Sequence, residues 1–337
     1  MDALGRVVAW RELVRGLDPA TIGSPLSPAG VRAALDAALE PLTDDALARA
    51  ASVSGRPFST ACVVVARTVF TAPLEWCAVL LARGTAVVVK HPEGAPGLAP
   101  HLVAAAREVG LPLGATADRT AVFGPELLVA MGNDDTIGAL SGVPAERALL
   151  FGARFSIAWV REVRSLEAVA ADAALHDGRG CMSPVAVATP LPFAEVLPAL
   201  AAAMANAERA VPRGAISAWE AARIRDRRAL ARAVGQAVEG PGWAAHGLPP
   251  DRFDPTALPR VLAVHTLPDL AAFTRWIGPA AAHLSTVATD DPSLLPGEGA
   301  RGPILFPGAR VVPVGAAQRP PLDRLHDGVD WLRQTVR

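Results

Sequence analysis

Between Ala61 and Met131 the chain alternates short, wholly apolar runs with longer runs of helical length closed by glycine. ACVVVA, starting at Ala61, and TAVVVK, Thr85 to Lys90, are continuous apolar stretches of strand length, suited to strands buried on both faces. LEWCAVLLAR, Leu74 to Arg83, is long enough for a helix and is stopped by Gly84, and LAPHLVAAAREVG is a second helix ending at Gly110. Leu127 to Met131 is the next strand and enters a Gly/Asn/Asp turn. Strand, helix, strand, helix, strand in this rhythm predicts parallel βαβ units and a doubly wound α/β domain. Such a domain binds its ligand at the carboxyl ends of the strands.

The flanks extend this pattern. The first sixty residues are expected to be helical, with Ser27 capping a helix that starts at Pro28 and Thr43 capping the next. ALLFG and FSIAWV, from Ala148 to Val160, are two strands, and PVAVAT after Cys181 is another. Phe193 to Arg209 is an Ala/Leu-rich helix, and Trp219 to Val238 a charged, exposed one. Residues 239–259 and 290–322 are Pro/Gly-rich and expected to be loops. There are no internal repeats. The division this suggests is 1–150 for N-terminal helices and a cofactor domain, 151–290 for a catalytic domain, and 291–337 for a segment packing back on both.

Composition narrows the class. With 51% hydrophobic and 19% charged residues the chain is globular. A net charge of −1 supplies no basic field for nucleic acid or an anionic membrane. Three cysteines cannot build a disulfide framework, the N-terminus lacks a signal-peptide core, and Arg67, Glu75 and Arg83 interrupt the most apolar stretch. A soluble, cytoplasmic protein without a membrane span is expected. No metal site is expected either, because three cysteines and seven scattered histidines show no ligand spacing. The pairs Asp44-Asp45, Asp134-Asp135 and Asp290-Asp291 read as helix starts and turns.

The loop His176-Asp177-Gly178-Arg179-Gly180-Cys181-Met182-Ser183-Pro184 carries the most chemistry. A thiol among glycines at a strand edge is accessible, and backbone N–H groups there stabilise a thiolate or an oxyanion. Cysteine is also a common core residue, which leaves a packing role open for Cys181. Cys62 and Cys77, each inside an apolar element, are read as packing residues.

DGRGCMSPVAVAT resembles the nucleophile loop of aldehyde dehydrogenases, and more closely that of the acyl-CoA reductases that feed bacterial luciferase. VVVARTVFTAPLEWCAVLLARGTAVVVKHPEGAP is similar to the dehydrogenase strand, helix and strand that end in a cofactor-binding lysine, here Lys90. LVAMGNDDTIGAL resembles the turn and helix facing the pyrophosphate, and LLFGARFSIAWV the strand pair crossing into the catalytic domain. ARVVPVGAAQRPPLDRLHDGVDWL resembles the closing segment of the luminescence-type reductases. These segments span roughly residues 60–335 and imply an aldehyde-dehydrogenase-like fold, a Rossmann-type cofactor domain plus an α/β catalytic domain.

The resemblance also implies roles. Cys181 would attack the thioester of an acyl-CoA or acyl carrier protein and hold the acyl group, which hydride from NADPH or NADH would release as aldehyde. Lys90 would bond the adenosine ribose. Glu93 stands where dehydrogenases preferring the unphosphorylated cofactor often have a ribose-binding glutamate, whereas luminescence-type reductases are generally associated with the phosphorylated one. Gly132, Asn133 and Gly138 would let the backbone approach the pyrophosphate at a helix N-terminus. A surface lysine and an ordinary turn account for the same residues without a cofactor.

Two departures from the family pattern stand out. Where aldehyde dehydrogenases have an oxyanion-binding asparagine, the nearest residue here is Thr71, and where oxidative members have a water-activating glutamate, here stands Leu150. A leucine disfavours hydrolysis and suits thioester chemistry. The family usually has a longer N-terminal region, so part of a cofactor or oligomer surface is expected to be missing. An aldehyde dehydrogenase running toward the acid and a degenerate, non-catalytic nucleotide-binding homologue remain alternatives. His176 near Cys181 suggests a Cys–His hydrolase only by sequence proximity, which is no evidence for such a pair. Trp243 and Trp276 are read as pocket-lining or core-finishing. A homo-oligomer is compatible with the sequence.

Overall fold

The computed structural model describes residues 1–295 and 306–337, which form two compact units. Residues 296–305, part of the expected 290–322 loop, lie outside the described residues. One unit contains Met1–Ser24, Ala34–Ala153 and Arg319–Arg337, the other Pro25–Ala33 and Arg154–Gln318. The chain passes between the units at Ala153/Arg154, beside the expected 150/151, and again at Gln318/Arg319. The strand pair at Ala148 to Val160 is split after Ala153, and the C-terminal segment is shared between the units at Gln318.

In the first unit, α1 (Ala3–Arg15), α2 (Pro28–Leu39, begun in the second unit) and α3 (Asp44–Ala51) precede the sheet. Ser27 and Thr43 cap α2 and α3 by accepting the Gly30 and Ala46 N–H groups at 3.1 Å each, which satisfies otherwise orphaned donors. There follow β1 (Thr60–Val64), α4 (Pro73–Ala82), β2 (Ala86–Lys90), α5 (Ala99–Glu108), β3 (Leu113–Thr116), β4 (Leu127–Met131), α6 (Asp134–Gly138) and β5 (Ala148–Phe151). The strands are parallel in the order β3-β2-β1-β4-β5. Chain order reverses between β1 and β4, so their carboxyl ends flank the crevice where such folds bind ligands. The short, glycine-containing β3 was not expected, and Leu127–Met131 is thus the fourth strand of this sheet.

The second unit comprises β6 (Phe155–Trp159), α7 (Leu166–Ala174), β7 (Pro184–Thr189), α8 (Phe193–Ala210), α9 (Ala218–Val234), β8 (Gln236–Glu239), β9 (Ala244–Gly247), β10 (Val261–Thr266), α10 (Leu270–Ile277), β11 (Leu284–Thr289) and β12 (Arg310–Pro313). Its sheet runs β12-β11-β6-β7-β10-β9-β8, parallel except between β8 and β9. The helix expected to reach Val238 stops at Val234, because Gly235 takes an extended conformation that starts β8. β9 and β12 fall in segments expected to be loops, and β10 and β11 were not foreseen. One sheet face packs on α7 and α8 through Val169, Val196 and Leu200, and the other on Ala231, Phe273 and Ile277. Trp243 finishes the first of these cores, and Trp276 packs at the margin of the second. Among the described residues no helix is long and apolar enough to cross a membrane, and no group of three or more His, Cys, Asp or Glu could hold a metal ion.

His246 and His265 lie on the second of those faces, since His246 pairs in register with Ala263, two residues before His265 on β10. Both are fully buried, and among the described residues neither ring nitrogen of His246 has a hydrogen-bond partner. Burial pushes each to about 4, aided at His246 by the charges of Arg227, Arg228 and Arg232. A histidine whose folded pKa is depressed contributes fully above its unfolded value near 6.5, and that contribution is lost as pH falls toward 4. Up to ~3 kcal/mol per ring is at stake. The urea midpoint should therefore be flat from pH 8 to 7 and fall steadily below about 6.5, and His246→Leu should make the fall shallower. Equal midpoints at pH 7.5 and pH 5 would mean that the rings are not held neutral.

Candidate active site

Of the three thiols only Cys181 is exposed. Burial pushes the Cys62 thiol up to about 11, with Lys90 opposing weakly, and pushes Cys77 still higher. Neither forms a useful thiolate near neutral pH, and Cys181 is the one thiol of the three open to a reagent.

Its loop leaves α7 through a strained path. His176, Asp177 and Gly178 have φ of 54°, 54° and 71° in succession. For residues other than glycine this left-handed region costs roughly 1–3 kcal/mol each and persists only where the surroundings over-determine it. Asp177 supplies the restraint. Its Oδ1 accepts from Arg260 Nε at 2.8 Å, and its Oδ2 from Arg179 at 3.1 Å and the Gly214 N–H at 3.0 Å. Its carbonyl accepts the Arg260 N–H at 3.1 Å. Arg179 is also paired with Glu220 and Arg260 with Glu208, each at 2.8 Å. Gly178 suits this path by its φ, which L side chains rarely adopt, while a Cβ there would come to 3.4 Å from the Ala173 carbonyl and the Arg260 nitrogen.

The following turn is fixed from below while the thiol stays open. The Ser183 N–H donates to the Gly180 carbonyl at 2.9 Å, and buried Ser156 donates its hydroxyl to the Cys181 carbonyl at 2.7 Å. Arg310 donates to the Met182 sulfur at 3.3 Å. Gln318 joins the Ser183 hydroxyl to the Asp172 carbonyl, and the Asp172 carboxylate accepts the Gly315 and Ala317 N–H groups at 2.9 and 3.3 Å. His176 is buried and pushed to about 4 by desolvation. It is thus neutral near pH 7 and offers no cation to a thiolate.

The remaining sequence-predicted residues belong to the first unit and follow its strand ends. Thr71 is buried in the turn between β1 and α4, its carbonyl accepting the Leu74 N–H at 3.0 Å. Lys90 ends β2 half-buried, and among the described residues its ammonium makes no hydrogen bond or ion pair. Glu93 is exposed in the next turn. Gly132 follows β4, where an added Cβ would press on Thr136 at 3.0 Å. Asn133 caps α6, its Oδ1 accepting the Thr136 N–H at 3.0 Å. Gly138 is a correction, because it closes α6 and does not lie at its N-terminus. Asp134 and Asp135 occupy that first turn. Leu150, on β5, pairs with Ala130 and packs with Cys62 and Val64. Sequence reasoning did not find Arg260, Glu208, Glu220, Ser156, Asp172 or Gln318. All but Asp172, which lies in the last turn of the helix before the loop, reach the Cys181 loop from elsewhere in the sequence, and none carries a local signal.

The two units, one with a parallel sheet and one with a sheet parallel except at β8–β9, have the fold of the aldehyde dehydrogenases. A γ-glutamyl-γ-aminobutyraldehyde dehydrogenase from Burkholderia cenocepacia J2315 superposes with a TM-score of 0.71 at 16% identity, over 93% of this chain and 76% of that one. An NAD-dependent benzaldehyde dehydrogenase from Corynebacterium glutamicum gives 0.70 at 17% identity, over 99% and 83%. The indole-3-acetaldehyde dehydrogenase AldA of P. syringae, solved with NAD+ and IAA, gives 0.69 at 13%, over 93% and 76%. None of the curated proteins compared with the chain matches it. The acyl-CoA reductase (LuxC) family model matches residues 126–337, and the chain belongs to that family.

Removing the Asp177 carboxylate leaves Arg260 and Arg179 buried and short of countercharge. Asp177→Ala should cost about 3–5 kcal/mol, read as a fall in Tm, and should alter the alkylation rate of Cys181. Ser156→Ala removes one hydrogen bond and should cost only ~1 kcal/mol. An unchanged Tm in Asp177→Ala would show that the loop is held by something else.

Proposed function

We propose that the protein reduces an acyl thioester, carried on CoA or an acyl carrier protein, to an aldehyde through an acyl group held on Cys181. The observation that carries this reading is the one exposed thiol, on a loop fixed on both sides, in a chain of the acyl-CoA reductase family. The Cys181 thiolate attacks the carbonyl, its own backbone N–H and the Thr71 hydroxyl being the candidate donors to the oxyanion. The C–S bond to the carrier breaks, the carrier leaves as a thiolate that takes a proton from water, and the acyl group stays on Cys181. A reduced nicotinamide cofactor, when bound, supplies the hydride that converts this thioester to an aldehyde and returns the Cys181 thiolate.

The carboxyl edge of the first sheet suits such a cofactor in part. The Lys90 ammonium, without a hydrogen bond or ion pair among the described residues, fits a ribose or phosphate oxygen. Asp134 and Asp135 set negative charge on the first turn of α6, Asn133 is engaged in capping, and Thr136 fills the side that a Gly132 Cβ would take, so the fit rests on Lys90. Glu93 would repel a 2′-phosphate. Both cofactor forms should work, and Glu93→Gln should lower the KM for NADPH. If neither KM changes, Glu93 is not at the ribose.

The direction of the reaction follows from Leu150, which cannot activate water. General-base assistance is worth about 10²–10⁴ in rate, so the acyl-enzyme should be long-lived without reductant. Mixing protein with acyl-CoA alone should give one acyl adduct on Cys181 by intact mass and one equivalent of CoA. Adding NADPH or NADH should discharge it as aldehyde, Leu150→Glu should divert it to carboxylic acid, and Cys181→Ala should form no adduct. Continuous CoA release without a reduced cofactor would mean a hydrolase and end the reductase reading.

A further inference from the structure

A cavity of about 630 Å³ opens at the amino edge of the first unit's sheet, the edge opposite Lys90 and Gly132. It exists because the connection from β3 to β4 forms only a short turn of helix, Arg119–Val122, where a parallel crossover usually supplies a covering helix. Val122 covers Cys62 on that face, while Val88, in register with Cys62, stays half-buried and Gly114, in register with Val88, has no side chain. The hollow beyond Val122 is walled by Ala86, Val88, Leu111, Ala121 and Pro125. Arg147 fixes the wall by donating to the Pro125 carbonyl.

The only charged lining residue is Arg107. It is exposed, and among the described residues its guanidinium makes no hydrogen bond or ion pair. Glu126, beside the wall, is already engaged by Arg337 at 2.9 Å and the Ser59 N–H at 2.8 Å. The Thr60 hydroxyl accepts the Glu126 N–H at 3.1 Å. A sugar or nucleotide would find little to bond inside, and a neutral lipid would leave the guanidinium unused. The volume lies in the range that holds small ligands, roughly 300–1,000 Å³. We propose that this cavity is a second binding site, for an aliphatic monocarboxylate whose chain lies on Val88 and Gly114 and whose carboxylate meets Arg107 in the paired geometry that suits a guanidinium.

The test is titration calorimetry with decanoate on the full-length Cys181→Ala protein, in which no acyl transfer occurs, so the result is independent of the proposed reaction. One saturable site is expected, unaffected by excess NADH. Decanol should bind at least about tenfold more weakly than decanoate, and Arg107→Gln should weaken decanoate by a similar factor. Decyl phosphate binding as tightly as decanoate would replace the carboxylate assignment with a general anion site and overturn the proposal as stated. Gly114→Leu should abolish binding without lowering Tm, since a Cβ there meets only Val88 at 3.8 Å. If Gly114→Leu does not fold, Arg107→Gln on its exposed side chain decides alone. The absence of saturable binding, displacement by NADH, or binding that survives Arg107→Gln would each overturn the proposal.

Discussion

The buried carboxylate of Asp177 is the point on which the nucleophile loop depends. It joins Arg260, 83 residues away in sequence, to Arg179 in its own loop. A buried ion pair seldom adds much net stability compared with apolar packing, because both charges give up water. What it adds here is position. The left-handed turn at His176 and Asp177 is unfavourable in isolation, and the bonds from Arg260 Nε, Arg179 and the Gly214 N–H hold the Asp177 carboxylate in one orientation. In the proposed reaction the thiol would gain more from such a fixed frame than from further contacts of its own.

The turn around Cys181 shows the same logic with neutral groups. Its backbone carbonyl is tied by Ser156, and its neighbours Met182 and Ser183 are tied by Arg310 and Gln318. Only the reactive side chain is left exposed. The other two cysteines show the opposite arrangement, with mobile backbone alternatives removed by regular structure and the sulfur sealed from water, which suppresses ionisation.

Much of this was legible in the sequence, for physical reasons that also explain the gaps. β1, β2 and β4 are unbroken apolar runs, and Gly84 and Gly110 mark helix ends with positive φ. β3 reads LGAT and β9 reads AAHG, with too little side-chain volume and too much glycine to signal a strand, and their neighbours in the sheet decide their conformation. Cys181 announces itself because its signal is local. Arg260 and Glu208 do not, because they reach the loop only once the chain has folded. Gly138 was misplaced because α6 is a single short turn, so that three residues separate one helix end from the other.

Residues 319–337 return to the first unit. Trp331 packs on Trp76 at 4.4 Å between ring centroids, Arg324 pairs with Glu75 at 2.7 Å, and the Arg337 N–H donates to the Arg56 carbonyl at 2.9 Å. Domains usually form in the order in which they leave the ribosome. Here Ala34–Ala153 and the segment 319–337 that packs on Trp76 belong to one unit, although Arg154–Gln318 separates them in sequence. The first unit's core is therefore closed by a pairing that spans the whole of the intervening Arg154–Gln318, a long-range contact of the kind a folding chain reaches late.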